Sequence, residues 1–358
     1  MTRILIAAGG TGGHIIPGLA IAAELKTSAE VIFLGTGREL ERKLIGSAGF
    51  ELRELPAAPL LGKGIKGPVR FLKLLPSAFR NALSLYRELN PDLVIGFGGY
   101  PSVIPALAAL RARVPLIIHE SNVRVGLANR ALSMFATRVY AVSGAGHLLN
   151  RQVTRLPNPV RKEFYGIDSL ALPKQGEPWR LLVTGGSQGA MALNSAVVSL
   201  SPLFRERDIE VWHQTGTSDE ERVRSGYRDA GCESSRVRVV PFIDNFAEAL
   251  TWSHLVVCRA GAMTVAEITA AGRPAIFVPL PIAGGHQADN CRELVSQGLA
   301  QEVQQTNDLH DRLTAALQRY LSDAGKLVSI SHRLRSQARV GGVSPAEIIA
   351  REALDLVS

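Results

Sequence analysis

The same local pattern occurs twice in this chain, and it constrains the fold more than any other feature. Each copy is a short apolar run, then a cluster of glycines, then apolar residues at helical spacing. The first run spans residues 4–8 and leads into Gly9; the second spans residues 181–184 and leads into Gly185. Continuous apolar runs are typical of strands buried on both faces of a parallel sheet. Each half of the chain is therefore predicted to begin with a strand, a tight glycine turn and a helix.

Further apolar runs alternate with helical stretches in both halves, which implies parallel sheets with right-handed crossovers. Strands are expected near residues 31–34, 93–96, 116–119 and 138–142, and near 210–213, 237–240, 255–258 and 275–278. We predict an α/β protein with two Rossmann-like, doubly wound domains that face each other across a cleft. The ligand crevice is expected at the C-terminal ends of the strands.

The expected domain boundaries follow from the positions of the two glycine turns. The first domain is predicted to comprise residues 1–160 together with a C-terminal helix at about 342–358, and the second to comprise residues 161–341. The segment around residues 158–161 is the expected hinge.

Composition limits the possible partners. Hydrophobic residues make up 46% of the 358 residues and charged residues 20%, which is typical of a globular protein. The three cysteines lack metal-site spacing and fit a reducing cytosol. The sequence has no signal-peptide pattern and no apolar run long enough to span a bilayer. The net charge of +8 favours a phosphorylated ligand or an anionic lipid. Nucleic acid is not expected, because few aromatic residues lie among the basic ones.

The glycine turns suit a phosphate or diphosphate, because they bring backbone N–H groups to the positive end of a helix dipole. An ordinary turn in a βα unit is the alternative interpretation. The dinucleotide fingerprint fails, since Gly10 and Gly12 are followed by Ile15 where it requires glycine. Neither second strand ends in an acidic residue, and no GxxxxGK[ST] motif occurs. NAD and ATP in their usual binding modes are therefore disfavoured.

The stretch CRAGAMTVAE suggests a second anion site, at a helix that begins near Ala262. Glu267 is expected at the fourth or fifth helical position. There it could accept hydrogen bonds from two ribose hydroxyls, or it could be a surface glutamate that stabilises the helix dipole. Gln287 could bind a sugar or cap a helix. No Asp-x-Asp metal motif is present, so helix N-termini and Arg161 would stabilise a diphosphate leaving group.

Eight short motifs occur in order between residues 9 and 290: GGTGGHIIP, GFGGYPS, HESN, NPVR, GGSQGA, FID, CRAGAMTVAE and GGHQADN. Together they resemble the MurG family of bacterial peptidoglycan biosynthesis. The resemblance implies an inverting GT-B glycosyltransferase without a cofactor or metal. It implies transfer of N-acetylglucosamine from UDP-N-acetylglucosamine to the muramic 4-hydroxyl of lipid I, an undecaprenyl-pyrophosphoryl-muramoyl-peptide, which gives lipid II. It also implies a peripheral protein at the cytoplasmic face of the bacterial cell membrane.

The resemblance also assigns residues to roles. An inverting displacement needs one base, and His14 is the first candidate, with His119 and Glu120 as competitors; a helix-capping or structural histidine is the alternative for His14. The implied donor contacts are Thr11, Gly12 and Gly13 at the donor–acceptor junction, Asn122 and Arg161 on the donor, Ser187 on a phosphate, the backbone of Ile243 on uracil, Ala262, Met263, Thr264, Val265, Ala266 and Glu267 on the diphosphate and ribose, and Gln287 on the sugar. Two positions depart from the family pattern: Ser121 stands where glutamine is frequent, and Pro157 where glycine is.

Residues 60–89 suggest the membrane contact. A helix is predicted from Pro68 onward, with a core stripe that includes Leu75, Phe79 and Tyr86. Apolar side chains off that stripe, within a basic ring, are typical of a segment that rests on an anionic membrane. The alternative interpretation is an amphipathic helix with a solvated basic face. A lipid-linked acceptor favours the membrane contact, because the acceptor domain must then reach the bilayer. The predicted contact residues are Ile65, Lys66, Arg70, Phe71, Lys73 and Leu74.

Two other function classes remain open on the sequence alone. A nucleotide-dependent oxidoreductase with two Rossmann domains would change NADH fluorescence on mixing. A non-enzymatic sugar-nucleotide sensor would bind UDP-N-acetylglucosamine without transferring the sugar.

Overall fold

The structure is a computed structural model that describes residues 1–55, 66–142, 148, 153–186, 189–232, 235–281 and 286–358, with backbone only at 66–74 and 286. The chain divides into two compact units. The first unit comprises Met1–Arg161 and Arg339–Ser358, and the second comprises Lys162–Ala338.

Within the described residues, the first unit contains a seven-stranded parallel sheet in the order β3-β2-β1-β4-β5-β6-β7. The order reverses between β1 and β4, as in a doubly wound fold, so the carboxyl ends of these two strands border the expected ligand crevice. The strands are β1 (Arg3–Ala7), β2 (Glu30–Gly35), β3 (Glu51–Glu54), β4 (Leu93–Gly96), β5 (Leu116–Glu120), β6 (Arg138–Ala141) and β7 (Val153–Arg155).

Alternate residues of the central strands point to opposite sides of this sheet, and both sets are apolar. Helices therefore cover both faces. In β1, Ile4 and Ile6 belong to the core beneath the first helix, whereas Leu5 and Ala7 belong to the core on the other face. The helices of this stretch are α1 (Gly12–Leu25), α2 (Glu39–Ser47), α3 (Lys66–Leu89), α4 (Gly99–Ala112) and α5 (Leu127–Leu132), followed by a 3₁₀ turn at Ser133–Phe135.

The second unit repeats the design with a parallel sheet in the order β10-β9-β8-β11-β12-β13 over its described residues. Its strands are β8 (Trp179–Thr184), β9 (Ile209–Gln214), β10 (Val237–Val240), β11 (Leu255–Cys258), β12 (Ala275–Phe277) and β13 (Ala300–Glu302). Its helices are α6 (Lys162–Tyr165), α7 (Met191–Val198), α8 (Ser201–Glu206), α9 (Glu220–Asp229), α10 (Phe246–Trp252), α11 (Ala262–Ala271), α12 (His286–Ser296), α13 (Leu309–Leu321) and α14 (Ala324–Gln337).

The last helix, α15 (Pro345–Asp355), returns to the first unit. Its residues Ala346, Ile349 and Ala350 join the core that contains α1. The hydroxyl of Tyr140, at the end of β6, donates a hydrogen bond to the carboxylate of Glu352. The first unit is therefore built from two separate stretches of the chain.

The prediction of two parallel-sheet α/β units is confirmed. All the strands expected from apolar runs are present, with ends that differ by at most two residues. The sequence reasoning missed β3, β7 and β13, each of which lies at an edge of its sheet. Among the described helices, none has the length and apolar character needed to cross a bilayer.

Candidate active site

The first glycine turn follows β1 and places His14 in the first turn of α1, at the carboxyl edge of the first sheet. The Nδ1 atom of His14 lies 3.2 Å from the carbonyl oxygen of Gly9. A carbonyl oxygen can only accept a hydrogen bond, so the neutral ring carries its proton on Nδ1. The Nε2 atom is therefore the basic nitrogen of His14.

The His14 ring packs directly on the backbone at the start of α4. Gly98 and Gly99 both have a positive φ, +84° and +69°. A Cβ atom on Gly99 would lie only 2.9 Å from Cε1 of His14. Glycine is required at Gly99 on both counts, because it alone combines this backbone angle with room for the ring.

The surroundings of His14 keep its ring neutral. Burial lowers the pKa of His14, and the Gly9 carbonyl and the charge of Glu120 oppose this effect only in part. A neutral imidazole near pH 7 can accept a proton from a bound hydroxyl group. The ring thus has the protonation state that a general base needs.

The two competing candidates, His119 and Glu120, lie at the end of β5, and the side chains of both are buried. His119 is fully buried, its ring centroid lies 5.5 Å from that of Phe97, and burial lowers its pKa to about 3. Glu120 is also buried, and its carboxylate accepts from the N–H groups of Asn122 at 2.9 Å and Gly126 at 3.0 Å. Asn129 donates a further bond to it at 3.0 Å. The hydrogen bonds of Glu120 therefore stabilise the conformation of the loop that follows β5.

A hydrogen bond connects the HESN and NPVR motifs within the first unit. The side-chain amide of Asn158 donates to the carbonyl of Ser121 at 2.9 Å. Ser121, which departs from the family pattern, lies with its hydroxyl 3.4 Å from Nδ1 of His119. Asn122 and Arg161 are half-buried. Their contact with a donor stays a prediction.

The second glycine turn follows β8 and is fixed to the neighbouring strand end. The N–H of Gly186 donates to the hydroxyl of Thr184 at 3.1 Å, and the Gly186 carbonyl accepts from the side-chain amide of Gln214 at 3.0 Å. Ser187, the predicted phosphate contact in this turn, lies outside the described residues.

Helix α11 begins at Ala262, as expected, with Gly261 as its N-cap. The first bond along the helix runs from the N–H of Val265 to the carbonyl of Gly261, at 2.9 Å. The N–H groups of residues 262–264 therefore have no acceptor within the helix, at the carboxyl end of β11. Such a helix start favours an anion.

The structure corrects two expectations for Glu267. It is the sixth residue of α11, not the fourth or fifth. It is also only 6% exposed, so the interpretation as a surface glutamate is wrong. Its position, one turn beyond the open N–H groups of α11, is compatible with the predicted ribose contact.

Gln287 and Ile243 follow two strands of the second sheet, β12 and β10, which three other strands separate. The Oε1 atom of Gln287, in the first turn of α12, accepts from the N–H of Leu280 at 3.0 Å, which orients its amide. Ile243 follows β10 and is 6% exposed. In the described part of the chain, its N–H and C=O form no backbone hydrogen bond. Its predicted pairing with uracil stays a prediction.

The predicted membrane residues lie along the chain at or just before the start of α3. Ile65 lies outside the described residues. Only the backbone of the other five is described, as the first turns of α3: Lys66, Arg70, Phe71, Lys73 and Leu74.

Comparison with known proteins identifies the family. Residues 4–141 match the glycosyltransferase family 28 N-terminal domain, and residues 180–340 match the family's C-terminal domain. The chain belongs to glycosyltransferase family 28. The predicted enzyme class is thereby confirmed.

Two relatives of this family 28 chain carry the name UDP-N-acetylglucosamine--N-acetylmuramyl-(pentapeptide) pyrophosphoryl-undecaprenol N-acetylglucosamine transferase. The protein of Anaeromyxobacter dehalogenans is 39% identical over 99% of this chain and 93% of its own length. That of Nitratidesulfovibrio vulgaris is 39% identical over 95% of this chain and 94% of its own length. The crystal structure of Acinetobacter baumannii MurG is 28% identical, covers 99% of this chain and 100% of its own, and has a TM-score of 0.77. The resemblance to the MurG family is confirmed.

Two buried residues of this family 28 chain were missed by the sequence reasoning. Arg259 donates to the carbonyl of Val278 at 2.9 Å and to Oε1 of Gln305 at 2.6 Å, which holds the end of β11 against the segments after β12 and β13. Glu41, on α2, binds the first glycine turn. A charged residue early in a helix usually indicates a solvated position, so Glu41 gives no sequence signal, and Arg259 is a single arginine between β11 and α11.

Proposed function

We propose that this chain transfers N-acetylglucosamine from UDP-N-acetylglucosamine to the muramic 4-hydroxyl of lipid I, forming lipid II of peptidoglycan. The observation that carries the proposal is the identity of 39% to transferases of that name, over nearly the whole of both chains. The placement of His14 and of α11 at the carboxyl edges of the two sheets supports it.

In the proposed reaction, the acceptor oxygen attacks the anomeric carbon of the sugar. A new carbon–oxygen bond forms there while the bond from that carbon to the UDP oxygen breaks, with inversion of configuration. Nε2 of His14 takes the proton of the acceptor hydroxyl. Of the three candidate bases, His14 has a half-buried ring whose Nε2 carries no proton, whereas His119 and Glu120 are buried.

UDP leaves as an anion, and the second unit supplies the groups that stabilise it. The N–H groups at the start of α11 would face the diphosphate, because preorganised dipoles stabilise developing charge without reorganisation. Glu267 would accept hydrogen bonds from the ribose hydroxyls, and the amide of Gln287 would donate to the sugar. Neither a metal ion nor a cofactor is part of the proposal.

The lipid-linked acceptor places the proposed reaction at a membrane surface. We propose that the protein is peripheral, at the cytoplasmic face of the bacterial cell membrane. The basic residues at the start of α3 and the net charge of +8 favour an anionic lipid surface.

The proposal is tested by incubating the protein with labelled UDP-N-acetylglucosamine and a lipid I analogue. A labelled disaccharide–lipid product, with one UDP released for each sugar transferred, is the expected result. The matched control is His14→Ala with the same substrates. Binding of the sugar nucleotide without transfer to the acceptor would contradict the proposal and indicate a sensor.

A further inference from the structure

Glu41 is fully buried, yet its carboxylate binds two loops at once. Its Oε1 atom accepts from the N–H of Gly10 at 2.7 Å and from the hydroxyl of Thr36 at 2.9 Å. Its Oε2 atom accepts from the N–H groups of Thr36 at 2.7 Å, Gly37 at 2.8 Å and Arg38 at 3.3 Å. The carboxylate therefore connects the glycine turn after β1 to the loop after β2.

Both strand ends leave space for this carboxylate. A Cβ atom on Gly9 would lie 2.7 Å from Oε1, and a Cβ atom on Gly35 would lie 2.6 Å from Oε2. Any larger residue at either position would collide with Glu41. The glycines after β1 thus serve a buried carboxylate in addition to any ligand.

One peptide group links this carboxylate to His14. The N–H of Gly10 and the C=O of Gly9 belong to the same planar peptide, so fixing the direction of one fixes the other. Glu41 accepts from the N–H, and the C=O accepts from Nδ1 of His14 at 3.2 Å. Hydrogen bonds in series also strengthen one another, because each polarises the next.

We propose that Glu41 is a positioning residue that acts on His14 through the Gly9–Gly10 peptide group. The proposal rests on the proposed function, in which His14 takes the acceptor proton. Glu41 keeps the Nδ1 proton on the Gly9 carbonyl, so that Nε2 faces the acceptor. It also stabilises the imidazolium that forms when Nε2 takes that proton.

The other polar groups around His14 come from β5, the first glycine turn, the loop after β2 and α4. His119 and Glu120 act on it from β5, and the Thr11 hydroxyl lies 3.5 Å from Nδ1. From the loop after β2, Arg38 reaches the Gly10 carbonyl at 3.5 Å, and its guanidinium lies over the ring of Tyr100 on α4. All of these groups remain when Glu41 alone is changed.

Glu41→Gln tests the proposal. Three backbone N–H groups face Oε2, so the amide oxygen will take that position and the NH₂ group will face Gly10, where it cannot accept. We expect kcat to fall about 10- to 100-fold, as for a misplaced catalytic group, with the donor KM nearly unchanged. The acid limb of the pH profile of kcat should move to lower pH. Without the negative charge of Glu41 the imidazolium of His14 is less stable, so the pKa of His14 falls.

A purely structural role gives the opposite shift. A loosened turn would admit water to His14 and relieve its burial, which would move the acid limb to higher pH. Thr36→Val is the matched control: it removes the hydroxyl bond to Oε1 but leaves the carboxylate on Gly10. Its kcat and pH profile should match the parent even if its melting temperature falls.

Two NMR measurements test the link without relying on activity. In the unmodified protein, the imidazole ¹⁵N shifts of His14 should show a protonated Nδ1 and an unprotonated Nε2. In Glu41→Gln, the Cε1–H titration of His14 should have a lower midpoint than in the parent. The opposite tautomer, or an unchanged or higher midpoint, would overturn the proposal. If the parent transfers no sugar to lipid I, the proposed function fails while these measurements still decide the role of Glu41.

Discussion

His14 differs from His119, the other histidine described at the first sheet edge, in being only half-buried. Its Nδ1 side is held by the Gly9 carbonyl, and its ring lies on Gly99, but the residue is only half-buried. His119, by contrast, is enclosed on all sides. A base must reach the proton that it removes, so geometry favours His14 before any comparison of pKa.

We expect His14→Ala to lower kcat by roughly 10²–10⁴-fold, the usual contribution of a general base. UDP binding, measured by calorimetry, should be unchanged, because the proposed nucleotide contacts are in other residues. A kcat within a few-fold of the parent would exclude His14 as the base and favour His119 or Glu120.

Glu267→Gln should weaken donor binding while preserving the shape of the side chain. The loss of a charge-assisted hydrogen bond costs roughly 1.5–3 kcal/mol, which is about a 10- to 100-fold increase in the donor KM. Glu221→Gln, at an exposed glutamate of α9, is the control and should leave KM unchanged. An unchanged KM in Glu267→Gln would show that the ribose contact is wrong.

The sequence predicted where the candidate site residues lie along the chain but not which of them are buried. Helical spacing left Glu267 undecided between a surface and a ligand position, because spacing does not reveal which face packs. Glu41 looked like any glutamate in the first turn of a helix. Its role depends on two strand ends that are close only in the folded sheet.

At the scale of elements, the central strands were predictable because each is a continuous apolar run. Of the four described edge strands, only β10, with the mostly apolar sequence VRVV, was predicted. An edge strand has one open side and needs fewer apolar residues. β3 has the sequence ELRE, and its side chains are exposed or half-buried. Its Arg53 pairs with Glu51 and Glu88. β3 therefore contains charged residues where a strand prediction looks for an apolar run.

Helix α3 extends from Lys66 to Leu89, and its later turns pack on the sheet through Ala78, Ala82 and Tyr86. We expect the protein to sediment with anionic vesicles and to be released by high salt, because each basic residue near such a surface contributes about 1 kcal/mol. Replacing Lys66, Arg70 and Lys73 by glutamate should abolish sedimentation and leave UDP binding intact.

The matched control for that variant changes the net charge equally at another surface. Arg312→Glu, Arg319→Glu and Lys326→Glu alter exposed residues of α13 and α14. This control should still sediment, if somewhat less than the parent. Equal loss in both triple variants would show that overall charge, and not α3, attaches the protein to the vesicle.

At the scale of the whole molecule, each unit has its own parallel sheet, and the predicted nucleotide contacts fall mostly in the second. A fragment of residues 162–338 should therefore bind UDP with measurable affinity by calorimetry. The same fragment carrying Glu267→Gln should bind more weakly. A folded fragment that does not bind UDP would contradict the assignment of the donor to the second unit.

The return of α15 to the first unit has a consequence for how the protein is made. A ribosome completes residues 1–161 well before it reaches Pro345, because the whole second unit is synthesised in between. At about 5–20 residues per second, this interval lasts roughly 10–40 s. Throughout it, the face of α1 that later receives Ile349 and Ala350 has no covering helix. During synthesis, the nascent first unit therefore exposes an apolar surface to which chaperones can bind, and the second unit can finish folding before the first.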